Sequence, residues 1–584
     1  MDIKNDSDIL NYFPNIPGKI EKPRQCQVDV LKKVDDLIQN GRDKIIICAP
    51  TGSGKSGIAT TLLNKYGGTY TSPLNVLVDQ IKDDFDPRYV ISLKGREHYQ
   101  CIANTDNGYV SCADGFCQIG KCSIPEIQQD LSGKHIEIYK KRNCKDCDNV
   151  TCACNNCEYK HQKDLFQSSN AGNTNFTMFQ LGITNDKDMI VIDESDDIES
   201  FIRMNNSFTI DESILTSDFE EHVLILYEKE IELETDIENI KIAIENSVTT
   251  EEAIEYNKEK RRLENLRKNI NTLLEDWEDN GKIWNVTRPE NNKTKYEPII
   301  IDRFLNKLIE GKIAVLMSAT PIILDGFEVI EIGSQFPKSI RPWKFVPLGK
   351  MSMAHREHTI PQVAQFISVL EGKTVVHCNS YAVANTISKE LDILGKSYLK
   401  QVNYNSYNPL EYGRKDIVPA FKKSSNPNEV LLSVNLARGV DFPEDDIKNN
   451  VIVVLPWPNP TDPLVKQKNK VLGASWQHVD MANTIMQAYG RVNRNDKKST
   501  MTYIVDENFN NKNGRGVAKN WFDLHRDLFF DWFLEAEHSV ANNMVLCPVC
   551  GNEVDYVYSV FYPDYNGKTC HNCNKKMFKD HGGK

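Results

Sequence analysis

Apolar residues along this chain come in short blocks, not in long runs. From Lys44 to Ser56 it reads "KIIICAPTGSGKS": a β-branched block, a Gly-rich turn, and then "GIATTLLNKY", which continues as a helix. Such a block, bounded by turn residues, predicts a strand buried on both faces. "VISLKG", "MIVIDES", "IAVLMSATP", "KTVVHCNS", "EVLLSV" and "NVIVVLPWP" repeat that texture, with helical stretches between many of them. Strands alternating with helices predict an α/β protein with parallel sheets. The blocks fall into two groups, before Ile340 and after Lys350, which predicts two such sheets.

A different pattern separates the blocks in the middle of the chain. Leu233, Ile237, Ile240 and Ile244 are spaced 4-3-4, and Leu263, Leu266, Ile270 and Leu273 are spaced 3-4-3. Each set makes one apolar stripe on a charged helix. Thr249 with Glu252 three residues later is a capping-box signature between them. The prediction is a long antiparallel helical hairpin within 201–298, which by its own residues is no more than a solvated spacer.

Composition narrows the class. At 584 residues and 40% apolar content the chain is long enough for several cores. No run approaches the roughly 18 apolar residues of a membrane span. "MDIKNDSDIL" has neither a basic nor an apolar leader region, so a cytoplasmic location is expected, in a bacterial or phage-infected cell given the Asn-rich composition. There, clustered cysteines bind metal or do chemistry more often than they form disulfides. The formal net charge of −12 excludes a wholly basic nucleic-acid glove but not a local basic groove.

Three short motifs carry chemistry. "APTGSGKS" (49–56) is a phosphate cradle: Thr51, Gly52, Ser53 and Gly54 bring backbone N–H groups to a helix N-terminus, where the dipole favours anions. Lys55 would reach the β/γ phosphates of ATP, and the Ser56 hydroxyl would bind Mg²⁺. Ala49 stands where the general pattern has Gly. "VIDES" supplies Asp193, able to hold Mg²⁺, and Glu194, able to orient and deprotonate an attacking water. "QAYGRVNR" offers Gln487, Arg491 and Arg494, with the two arginines three apart on one helical face. They fit arginine fingers supplied in cis; alone, the same string is an ordinary basic helix face.

In order, "APTGSGKS", "YTSPLNVLVDQ", "VIDESD", "MSATP", "VVHCNS", "LARGVDFP" and "QAYGRVNR" resemble motifs I, Ia, II, III, IV, V and VI of superfamily 2 helicases. "PRQCQ" (23–27) is similar to the upstream nucleotide-recognition segment, with Gln27 as its glutamine. "LKGREHYQC", "CEYKHQ" and "VVLPWPNPTDPLV" resemble the "KGRxNYxC", "CPYY" and "LPFPxPxDP" segments of XPD/DinG-like iron–sulfur helicases. The resemblance spans nearly all of residues 20–535. It implies two RecA-like lobes with an iron–sulfur insertion and a helical Arch insertion in the first. It also implies ATP-driven 5′→3′ translocation on single-stranded and forked DNA. Departures are "DESD" in place of "DEAH", which puts Asp196 where His is usual, and Arg438 with Gly439 and Asp441 in place of "EGxD". Ser318, Ala319 and Thr320 keep the usual motif III, whose role in the family is to couple hydrolysis to strand movement.

The family cluster is a [4Fe–4S] held by four cysteine thiolates. Nine cysteines run from Cys101 in the first of these segments to Cys157 in the second. The resemblance anchors Cys101 and Cys157 and favours Cys117 and Cys122 as the middle pair, with Cys147 and Cys152 as the rival pair. On the first choice, Cys144, Cys147, Cys152 and Cys154 are left to hold Zn²⁺. Such a cluster would staple an insertion too small to bury an adequate core. "YKKRNCK" (139–145), with Tyr99, Tyr109 and Phe116, combines cations and aromatics in a way that suits a single strand; a solvated charge run is the plainer meaning. Near the C-terminus, Cys547 and Cys550, then Cys570 and Cys573 after 19 further residues, form the double Cys-x2-Cys pattern of a zinc ribbon.

The expected organisation is first lobe 1–98, iron–sulfur insertion 99–165, first lobe 166–200, Arch-like insertion 201–298, first lobe 299–345, second lobe 346–540 and zinc ribbon 541–584. A monomer is expected, with replication or repair proteins meeting the ribbon or the Arch. The competing function is a redox-responsive nucleic-acid binding protein that has ATPase activity without processive unwinding. A nuclease is not expected, since about twenty residues precede the helicase motifs.

Overall fold

The structure, a computed structural model, describes residues 6–16, 22–50, 52–73, 75–85, 87–101, 111–114, 123–129, 135–141, 157–212, 214, 219–247, 249–280, 283–288, 292–320, 324–334, 336–403, 408–414, 416–434, 447–492, 498–510, 521–537, 545–546, 549, 553–554, 558–562, 565–569, 573 and 576–577. Two seven-stranded sheets, each wholly parallel, organise it. In the first sheet the spatial order is Glu328–Glu331, Lys44–Cys48, Ile313–Ser318, Met189–Ile192, Gly68–Ser72, Ala171–Asn175 and Ile91–Leu93. Ile45, Ile46 and Ile47 are fully buried, as a strand covered on both faces requires. Alternate residues feed two different cores: Ile46, Ile190 and Leu316 enter one, and Ile45, Val191 and Val315 the other.

The second sheet runs Trp343–Gly349, Met501–Asp506, Ile447–Ile452, Lys373–His377, Val430–Ser433, Tyr398–Gln401 and Glu411–Tyr412. Arg341 sits in the passage between the sheets and is buried. Its guanidinium donates to the carbonyls of Phe336 (2.9 Å) and Trp532, while the Tyr489 hydroxyl donates to its own carbonyl at 2.5 Å. The passage is therefore stitched to the far end of the second lobe.

Helices Phe219–Asn246 and Thr250–Asn280 pack along each other through the two predicted stripes. Leu233, Ile237, Leu263, Ile270 and Leu273 are buried in a core continuous with that of the first sheet. The reciprocal capping bonds form: Glu252 N donates to Thr249 Oγ1 (3.2 Å) and Thr249 N to Glu252 Oε2 (3.4 Å). A three-stranded antiparallel sheet of Phe208–Ile210, Thr294–Pro298 and Trp284–Thr287 closes the base of the hairpin. Higher up, Arg261 bonds Asp114 of the cysteine-rich insertion. In that insertion Ser123–Gln129 and His135–Lys141 form an antiparallel pair, with Ser123 opposite Lys141. Near the C-terminus Val545–Leu546 pairs with Glu553–Val554, and Tyr558–Tyr562 with Tyr565–Thr569. Among the described residues no helix is long and apolar enough to cross a membrane.

Candidate nucleotide-binding site

The site forms where the Lys44–Cys48 strand ends. Ala49 N bonds Ser318 O at 2.8 Å, which ties the start of motif I to motif III. The chain then turns through Gly52 and Gly54, both at positive φ, into the Lys55–Tyr66 helix. Gly54 is required twice over: its φ is +81°, and a Cβ there would lie 2.3 Å from Gln27 Nε2. Gln27 is buried and holds the turn from above. It accepts from Arg24 N at 2.8 Å and donates to Gly54 O at 3.0 Å, while Arg24 Nη1 donates to Gly52 O at 2.7 Å. Lys55 is 9% exposed, with Nζ 3.5 Å from Ala49 O. The Ser53 hydroxyl is buried without a hydrogen-bond partner among the described residues. An unmet donor inside a Gly-rich turn at a helix N-terminus fits a phosphate. Thr51 lies outside the described residues.

Motif II arrives on the Met189–Ile192 strand, two strands away, and its carboxylates face the turn. Asp193 Oδ1 accepts from Glu194 N at 2.9 Å, and Oδ2 accepts from the Tyr70 hydroxyl. Burial raises the Asp193 carboxyl above its ordinary range, and the nearby Lys55 ammonium opposes that rise. Burial also lifts the Tyr70 phenol well above its ordinary value, with the Asp193 charge adding to it, so the phenol stays a donor. Glu194 holds φ at +47°, left-handed backbone that turns its carboxylate towards the second lobe.

The second lobe meets these groups through the Ser475–Val492 helix, on which Gln487 and Arg491 are buried. Arg491 Nη2 lies 3.8 Å from Glu194 Oε1. Gln487 Nε2 donates to Asp196 Oδ2, while Asp196 Oδ1 accepts from Ser318 Oγ at 2.9 Å. Ser318 Oγ in turn accepts from Thr320 N at 3.1 Å. Asp196 thus bridges motifs II, III and VI in the place where the resemblance expected His. Lysine 468 adds a second crossing, with Nζ 2.5 Å from Glu199 Oε1 and over the Trp476 ring at 4.1 Å. A cavity of about 410 Å³ lies along the seam, lined among others by Pro73, Glu194, Asp197, His377, Asn379 and Arg491. His377 is held by Asn450 Oδ1 at 3.0 Å, and burial pushes its imidazole down to about 4. Arg494, Gly439 and Asp441 lie outside the described residues.

The metal-ligand expectations fare unevenly. Cys101 is buried, and Cys157 caps the start of the Glu158–Ser168 helix. Cys112, which the sequence reading left out of its ligand sets, is 2% exposed and packs with Tyr159, Tyr99 and Cys157. Cys117, Cys122, Cys144, Cys147, Cys152, Cys154, Cys547, Cys550 and Cys570 lie outside the described residues; Cys573 is half-buried. Among the described residues no group of three or more His, Cys, Asp or Glu is gathered as a metal site. Tyr99, expected near a single strand, is partly taken up in packing edge-on against Tyr159 at 5.4 Å. Two residues have a place in the site that the sequence assigned to neither, although Tyr70 opens the segment "YTSPLNVLVDQ". Tyr70 could have been flagged as a polar ring inside a buried strand, and Lys468 carries no local signal.

Residues 363–523 match the helicase C-terminal domain family, and residues 20–101 match the family described as type III restriction enzyme, res subunit. A solved structure named XPD_Helicase aligns at a TM-score of 0.52 and 15% identity, covering 84% of this chain and 96% of that one. The S. tokodaii Xpd4 structure aligns at a TM-score of 0.47 and 15% identity, covering 83% of this chain and 96% of that one. No curated protein matches the chain. A helicase C-terminal domain on an XPD-like fold of two parallel sheets implies ATP-dependent helicase activity.

Proposed function

We propose that this ATP-dependent helicase is a 5′→3′ translocase on single-stranded DNA that separates strands in replication or repair. One observation carries the reading: Lys55, Asp193 and Glu194 of the first lobe converge with Gln487 and Arg491 of the second across a single seam. Nucleotide bound at the Gly-rich turn would have Lys55 at its outer phosphates. Arg491 would turn from Glu194 to the γ-phosphate, releasing that carboxylate to orient water. Ser56 and Asp193 would hold Mg²⁺, which neutralises phosphate charge when bound. Closing and reopening of the seam would then advance the strand.

The insertions fit around this motor. We assign 99–165 to a [4Fe–4S] module, 201–298 to an Arch and 541–584 to a zinc ribbon. Cys101 and Cys157 sit at the two ends of the insertion, with Cys112 beside Cys157, a donor set suited to thiolate ligation. Cys112 therefore joins Cys117, Cys122, Cys147 and Cys152 as a candidate for the middle positions. The ribbon reading rests on the spacing of Cys547, Cys550, Cys570 and Cys573 and on the two short hairpins between and before them.

Lys55→Ala tests the motor. The variant is expected to fold but to lose DNA-stimulated ATP hydrolysis and displacement of a strand from a 5′-tailed duplex. Retention of appreciable DNA-stimulated hydrolysis would refute the assignment. An iron, sulfide and zinc count on anaerobically purified protein tests the metal assignments in parallel.

A further inference from the structure

Tyr70 lies on the Gly68–Ser72 strand, 3% exposed, against Asp193, one of the groups assigned to the nucleotide's metal. Its hydroxyl donates to Asp193 Oδ2. We infer that Tyr70 is a positioning residue for the metal of the bound nucleotide, fixing the place of Asp193.

The argument is one of donor counting. An ionised carboxylate only accepts, so the single phenolic proton must point at Asp193. The other Asp193 oxygen is fixed by Glu194 N at 2.9 Å, so the carboxylate cannot rotate to compensate for a lost partner. A partner behind a metal ligand both orients it and tunes its basicity, which is the role the phenol has towards Asp193. A phenylalanine at this position would pack equally well, so burial alone gives no reason for the hydroxyl.

The inference rests on the nucleotide reading above and has its own test. Binding of a fluorescent ADP analogue, without turnover, is titrated with Mg²⁺ in the wild type and in Tyr70→Phe. The variant is expected to need about 10–100-fold more Mg²⁺ for half-saturation, the usual effect of losing a partner behind a metal ligand. Analogue binding in EDTA and the unfolding temperature should stay near wild type. In Asp193→Asn the further change to Phe should add little, because Tyr70 acts through Asp193. If Tyr70→Phe folds poorly, Tyr70→His, which keeps a donor, should show the smaller Mg²⁺ shift. An unchanged Mg²⁺ requirement, or an equal loss of binding with and without Mg²⁺, overturns the inference alone. A wild-type chain that binds no nucleotide overturns the parent reading as well.

Discussion

Asp196→Ala should uncouple the lobes while leaving the Gly-rich turn intact. The carboxylate accepts from Ser318 Oγ within the first lobe at 2.9 Å and from Gln487 Nε2 across the seam. A hydrogen bond to a charged acceptor contributes about 1.5–3 kcal/mol. Of these two bonds it is the Gln487 one that spans the lobes, so that share enters the closure equilibrium. Its loss lowers the closed-to-open ratio by roughly 10–150-fold. Gln487 is 5% exposed, and a bond shielded from water lies towards the upper end of that range.

Asp196→Asn separates charge from geometry. Its amide oxygen can still accept from Ser318, but its NH₂ would then face the Gln487 NH₂. Gln487 has only to flip its amide to present an oxygen, so the bridge survives without its charge. The expected loss is about 1 kcal/mol, or roughly fivefold. The assay pairs DNA-stimulated ATP turnover with fluorescence transfer between dyes on the two lobes, read with and without a nonhydrolysable nucleotide. Equal lobe closure in wild type and Asp196→Ala, with turnover within about twofold (about 0.4 kcal/mol), refutes the bridge as a coupling element.

Two further outcomes follow from the seam and its surroundings. Glu199→Gln and Lys468→Met should show a coupling of about 1 kcal/mol in a double-mutant cycle read by lobe closure, modest because the Glu199 side chain is 38% exposed; a coupling near zero would remove the pair as an interlobe contact. Burial pushes the Glu199 carboxyl up, but Lys468 and Arg203 more than offset it and hold it below the usual range, so the contribution is present near neutrality and fades only as pH falls through that lowered value. His377 titrates in the same direction for a different reason. Its folded value of about 4 lies below the ordinary 6.5, so between these values the unfolded chain binds the extra proton and stability falls as pH falls. The full window amounts to about 3 kcal/mol. His377→Asn should flatten the dependence of the urea midpoint on pH by that amount, and an unchanged slope would count against a buried neutral imidazole.

Much of the fold can be read from residues whose pattern has one physical solution. "KIIIC" and "MIVI" are too apolar to face water on either side, and both lie inside the first sheet. The Thr249–Glu252 capping box forms because both bonds are local and need no tertiary help. The Ala171–Asn175 strand shows where such reasoning ends. "AGNTN" has the composition of a turn, yet all five residues are buried. Its side-chain donors are met from elsewhere, though Asn173 Oδ1 is buried without a partner among the described residues: Asn173 Nδ2 donates to Val78 O at 3.0 Å and to Ser92 Oγ at 2.8 Å, and Thr174 Oγ1 donates to Leu93 O at 2.9 Å. Gly172 is there because a Cβ would come within 2.5 Å of the Phe166 ring. None of these partners is a sequence neighbour, so no local pattern encodes the strand. The site divides in the same way. Lys55, Asp193 and Gln487 belong to strings whose chemistry is local, whereas Tyr70 and Lys468 acquire their roles only through residues more than a hundred positions away.

The distant contacts also decide what lobe movement can reach. The Ile198–Asn206 helix begins directly after motif II, so a displacement of Asp196 or Glu194 moves its first turn. Within two turns it offers Glu199 to Lys468 of the second lobe, while Arg203 Nε donates to Pro298 O at 2.9 Å. Pro298 ends a strand of the three-stranded sheet beneath the long hairpin, and the lobe-two helix Pro463–Leu472, which carries Lys468, packs against a second strand of that sheet, Trp284–Thr287. One short helix therefore touches the hydrolysis motif, the opposing lobe and the base of the hairpin. Relative motion of the lobes must either break the Lys468–Glu199 pair or carry the hairpin base with it. The pair is the weaker element, because Glu199 is partly open to solvent whereas the sheet beneath the hairpin is buried through Trp284 and Tyr296. Small lobe movements would then be transmitted to the hairpin and large ones would release it, so the Glu199 and Lys468 variants should alter strand separation at a fork more than they alter ATP turnover. Equal losses in both would place the pair in lobe closure alone.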